Sequence, residues 1–225
     1  MMSSYKKEAC VGNLLQVKQA KIRGADRVEL CDRLDLDGIT PSRDFIVAAV
    51  KTGLPVRVMI RPRAGDFIYS EAEFDEMIDS IKLCKELGVE GVVFGILDKE
   101  HNLNFKQIER LAEIASPLKV VVHKAIDETP NPVDAVRNLL KIEAVSAVLT
   151  SGGKSTALEG EEILKKMLKV AGRKFEIVAA GKITDKNIHE VHHLVGAGTY
   201  HGKKIVGDLN SNAKESAPTK NIYGG

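Results

Sequence analysis

Cys10 and Cys31 each close a short run of strand-forming residues. At the ends of adjacent parallel strands, spaced about 4.8 Å apart, two inward thiols reach one soft ion. Thiolates select Cu(I), zinc or iron–sulfur clusters. Two of them suffice for a near-linear Cu(I) site and fall short of four-coordinate zinc. Other polar groups share the same parity: Glu8 with Cys10, Glu29 with Cys31, and Arg61, His123 and Ser151 at the ends of later runs. Arg61 suits a carboxylate or phosphate clamp. His123 suits a general acid or base oriented by Asp127 or Glu29, with Glu8 as a further carboxylate. Backbone N–H groups in the loops at Ser151-Gly152 and Gly181 suit an anion. Structural roles compete with these. Glu29 and Arg61 can form a buried ion pair, and the cysteines can be small core residues. So many polar groups in one low-dielectric mouth are costly to desolvate without a ligand or a tight network. Asp98 and Asp127 are expected on the same rim.

A regular set of elements must position these residues. Strands are predicted at Lys7–Val11, Arg27–Cys31, Val56–Arg61, Gly91–Ile96, Lys119–His123, Ala147–Thr150, Glu176–Ala180 and Gly198–His201. Helical patterns fall at Leu14–Ile22, Ser42–Lys51, Glu71–Leu87, Phe105–Ala115, Val133–Lys141, Glu161–Ala171 and Asp185–Val195. Each unit spans roughly 30 residues, the length of one strand–helix repeat. The fold class is therefore α/β, a single and somewhat short (β/α)8 barrel of the TIM type over residues 1–206. Residues 207–225 read as a polar, irregular tail expected to be partly disordered. An open doubly wound sheet would need a Gly-rich turn after the first strand, and Cys10-Val11-Gly12-Asn13 is not one. In such barrels chemistry sits at the C-terminal ends of the strands.

The 225 residues carry 33 Lys+Arg against 31 Asp+Glu, a net charge of +2, with 4% aromatics and no Trp. No nucleic-acid partner is expected from that balance. No stretch has the apolar length of a membrane span, and Met1 to Ala9 lacks a signal-peptide core, so a cytoplasmic protein with reduced thiols is expected. Cys84 lies in a helical apolar pattern and reads as packing. His189-Glu190-Val191-His192-His193 matches the zinc protease signature in letters, but Ile188, Val191 and Val195 form the apolar stripe, which turns His189 and His193 to solvent. Ser151-Gly152-Gly153-Lys154-Ser155 is not a P-loop, because Val148 stands where a glycine is required.

The chain resembles the copper homeostasis protein CutC family. The matching stretches include Glu8-Ala9-Cys10, Gly24-Ala25-Asp26-Arg27-Val28-Glu29-Leu30-Cys31, Ile60-Arg61-Pro62-Arg63-Ala64-Gly65-Asp66-Phe67-Ile68-Tyr69-Ser70 and His123-Lys124-Ala125-Ile126-Asp127. Lys124 replaces a usual Arg, and Ala64-Gly65 replaces a Gly-Gly pair. The resemblance implies a TIM-type barrel, a cytosolic homo-oligomer and a Cu(I) site at Cys10 and Cys31. Two functions are thus expected: copper binding within copper homeostasis, or acid/base catalysis on a small anionic metabolite with copper incidental.

Overall fold

Ser70 starts the longest helix with a capping box, its hydroxyl accepting from Glu73 N–H while the Glu73 carboxylate accepts from Ser70 N–H. Asn13, Asn104 and Asn131 cap three others in the same local way. The computed structural model describes residues 5–210. Its elements alternate: β1 (Lys6–Val11), α1 (Leu14–Ile22), β2 (Arg27–Leu30), α2 (Arg43–Val50), β3 (Val56–Met59), α3 (Glu71–Glu86), β4 (Gly91–Phe94), α4 (Phe105–Ala115), β5 (Lys119–Val122), α5 (Pro132–Leu139), β6 (Val145–Thr150), α6 (Glu161–Ala171), β7 (Glu176–Ala179), α7 (Ile188–Val195) and β8 (Thr199–Gly202). All eight strands pair in parallel and in chain order, and β8 closes onto β1. The fold is the (β/α)8 barrel expected from the alternation.

Outward positions such as Val56, Val58 and Ile60 pack under the helices. The interior is divided. Strands β4 to β7 fill their side with Val93, Val121, Ala147, Leu149, Val178 and Ala180. Strands β1, β2, β3 and β8 present Glu8, Arg27, Glu29, Arg57 and His201, all buried.

Three local features differ from the sequence expectation. Lys124–Glu128 forms a 3-10 turn, too short to carry a hydrophobic period. Helix α7 begins at Ile188 rather than Asp185, because Asn187 Oδ1 accepts from Thr184 N–H and holds the preceding residues in a turn. In the segment expected as tail, Leu209 is buried in the core and Asn210 Oδ1 accepts from Gln16; residues 211–225 lie outside the described residues. His189 and His193 are exposed on α7, and His192 Nδ1 lies 2.8 Å from the Tyr200 hydroxyl, so the protease-like letters form no metal cluster. Among the described residues no helix is long and apolar enough to cross a membrane.

Candidate functional site

The polar side of the interior is built in two tiers. In the lower tier, Glu8 pairs with Arg27 and with Arg57 at 3.2 Å. Glu176 joins Arg27 at 3.0 Å and Arg57 at 2.9 Å. Burial opposes ionisation of Glu8, but His201, Arg27 and Arg57 hold its carboxyl well below the usual carboxylate range. Glu8 was expected at the mouth. It lies beneath it instead, as part of the ionic network of the barrel floor.

The upper tier opens on a cavity of about 780 Å³. Cys10, Glu29, Cys31, Arg61, His123 and Asp127 line it, as does Gly181. Cys10 Sγ and Cys31 Sγ are 3.9 Å apart, and Cys31 Sγ is 3.7 Å from Glu29 Oε2. These three residues bring their donor atoms within 4.8 Å of one another. The hydrogen bond from Cys31 holds the Cys10 thiol well below its ordinary value and raises that of Cys31. The two sulfurs thus titrate as a pair, with Cys10 the more readily ionised. Burial pushes the Glu29 carboxyl up to about 8. His201 was not singled out in the sequence. Its Nδ1 lies 2.9 Å from Glu8 and its Nε2 3.5 Å from Glu29, joining the two tiers. Burial opposes charge on His201, but Glu29 with the hydrogen bonds to Cys10 and Glu8 raises its pKa well above the ordinary value. The signal was its inward parity with Thr199 at the end of β8.

Glu29 and Arg61 do not pair. Arg61 Nη1 donates to the Leu36 and Gly38 carbonyls at 3.1 Å each, and Nη2 to Gly65 at 2.6 Å. Its guanidinium sits 4.9 Å from the centre of the Phe67 ring. His123 Nδ1 accepts from Ala125 N–H at 3.2 Å. Neither Asp127 nor Glu29 orients the ring, so the expected catalytic pair is not assembled. The Asp127 carboxylate turns away into the loop after β6. It accepts from Ser151 N–H at 2.9 Å, Gly153 N–H at 2.8 Å and the Thr150 hydroxyl, and it pairs with Lys124 at 3.0 Å. Gly152 N–H is spent on Thr150 Oγ1 at 2.9 Å. Ser151 and Gly152 therefore offer no open anion cradle: a carboxylate of the chain already fills it. Asp98, also expected on the rim, accepts from the N–H groups of Glu100 and Asn102 within its own loop.

Burial, with Arg61 nearby, pushes His123 down to about 3. The unfolded chain takes up this proton near pH 6.5, whereas the folded chain refuses it until about pH 3. His123 thus costs stability as pH falls through that window, by about 1.4 kcal/mol per unit. Glu29 has the opposite sign between its ordinary 4.5 and about 8, so wild type alone shows a blunted slope. The difference in urea-unfolding free energy between wild type and His123→Asn is expected to narrow steadily toward acid. A difference that does not change with pH would show that His123 titrates normally.

The CutC family model matches residues 5–206. This chain belongs to the CutC family. A CutC family protein of Mesorhizobium japonicum is 40% identical over 195 residues, covering 86% of this chain and 75% of that protein. The human copper homeostasis protein cutC homolog is 37% identical over 195 residues, covering 86% and 71%. The crystal structure of CutC from Streptococcus agalactiae superposes with a TM-score of 0.85 at 29% identity, covering 89% of this chain and 99% of that one. The dihydrodipicolinate synthase of Cyanidioschyzon merolae has a TM-score of 0.62 at 13% identity, covering 89% and 70%; it shares the barrel alone.

Proposed function

We propose that this CutC chain binds Cu(I) as cargo at Cys10 and Cys31 and serves copper homeostasis in the cytoplasm. The observation that carries the reading is the buried sulfur pair, 3.9 Å apart at the mouth of the barrel. The donor set fits a soft ion, since one thiol is already held toward the thiolate. The spacing modifies the sequence expectation. Two bonds of the ~2.3 Å typical of zinc thiolates would separate the sulfurs by about 4.6 Å in a linear site. The shorter pair suits a bent site with a third donor, and Glu29 and His201 are the residues beside it. The names of the human and mouse relatives, copper homeostasis protein cutC homolog, agree with this reading.

An anaerobic titration with Cu(I) against a chromogenic chelator tests it. One ion per chain is expected to resist the chelator. In the Cys10→Ser, Cys31→Ser double variant the affinity should fall at least 100-fold. Proton release should accompany binding, because Cys31 enters as a thiol. Equal competition by the double variant would refute the assignment.

A further inference from the structure

The cavity is far larger than an ion requires, and its far wall has a separate character. Arg61 is only 5% exposed, and no carboxylate among the described residues lies within ion-pair distance of it. Of its five N–H donors, three bonds go to neutral carbonyls, the neutral Tyr69 hydroxyl lies beside the guanidinium, and Nε–H makes no hydrogen bond. Carbonyl dipoles solvate a buried cation only in part, and a counter-charge is the usual completion. His123, 3% exposed, adds a second unmet donor. Because Nδ1 accepts the Ala125 amide hydrogen, the neutral ring carries its proton on Nε2. That Nε2 is buried without a partner. Arg61 and His123 rest on one ring, Phe67, at 4.9 Å and 4.8 Å from its centre. Gly95 makes room for this: a Cβ there would lie 2.5 Å from His123 Nδ1. Lys182, Lys203 and Lys204 also line the cavity, together with Asp37, Asp127 and Glu128, so its lining carries both signs and Arg61 is the buried cation in it.

We infer that this wall binds a small organic anion, a carboxylate or phosphate monoester, drawn by the uncompensated charge of Arg61 and seated beside His123. Three features support it together: an unpaired buried cation, an unpaired buried donor, and a cavity of about 780 Å³ that both residues line. The ligand's remaining atoms fit the apolar lining of Met59, Phe67, Leu149 and Ile183. The thiols lie outside this pair of donors, so the inference stands or falls apart from the copper reading.

Thermal unfolding with inorganic phosphate and with succinate, each against sodium chloride of equal ionic strength, tests the inference. At saturation at least one probe is expected to raise Tm by about 3 °C beyond the chloride control. The rise should vanish in Arg61→Gln, fall by half or more in His123→Asn, and persist in the Cys10→Ser, Cys31→Ser variant. A response to phosphate alone assigns a phosphate ester, and one to succinate alone assigns a carboxylate. Absence of any shift beyond chloride overturns the inference. So does a shift that survives intact in His123→Asn, which decides the matter if Arg61→Gln does not fold.

Discussion

Glu8→Ala is expected to lower the free energy of unfolding by about 3–5 kcal/mol, the usual cost of breaking a buried charge network at one partner. Glu8 is the hub of the barrel floor, where Arg27, Arg57 and His201 converge on its two oxygens. Its removal leaves two buried guanidinium groups facing Glu176, which is itself partly exposed. In a domain of this size the melting temperature should fall by on the order of 10 °C. The cause is uncompensated charge rather than lost volume. Glu8→Met combined with Arg57→Met, which removes one charge of each sign, should therefore recover much of the loss. Urea unfolding of both variants checks this. A loss below about 1 kcal/mol in Glu8→Ala would show that the network behaves like an exposed ion pair.

Gly160→Ala should be equally damaging for a different reason. Gly160 is buried, and a Cβ there would lie 1.9 Å from the Ser151 carbonyl oxygen and 2.9 Å from its carbon. That oxygen belongs to the main chain leaving β6, so no side-chain rotation relieves the overlap. The loop from Ser151 to Gly160 must move, and the amide groups that hold Asp127 move with it. A loss of about 4 kcal/mol or more is expected, in the range reserved for forced backbone rearrangement. Soluble yield and urea unfolding measure it. Wild-type stability in Gly160→Ala would mean that this close approach is not needed.

The barrel was readable because strand and helix periods alternate with glycine and cap residues at the joints. The inward side of each strand was readable from parity. Height along the barrel was not. Glu8 and Cys10 share a parity, yet two residues of strand rise are about 6.6 Å, enough to put one in the floor and the other in the mouth. The floor network was hidden for a related reason. Glu8 and Glu176 meet the same arginines through strand stagger and barrel closure, which local patterns do not encode. The turn of Asp127 toward the loop after β6 depends on a 3-10 segment too short to show a period. His201 stood in plain view at a strand end. Only the closure of β8 onto β1, pairing Glu8 with His201, reveals what it touches.

The split interior gives the two sides of the barrel unequal freedom to change. Val93, Val121, Ala147, Leu149 and Val178 meet through non-directional packing, where swaps of similar volume usually cost less than about 1.5 kcal/mol. The opposite strands are tied by oriented ion pairs, where changing one partner alone costs about 3–5 kcal/mol and only a matched change of both is tolerated. Sequence drift, or a laboratory library aimed at reshaping the chamber, should therefore succeed on β4 to β7 while the ionic flank stays fixed as the frame.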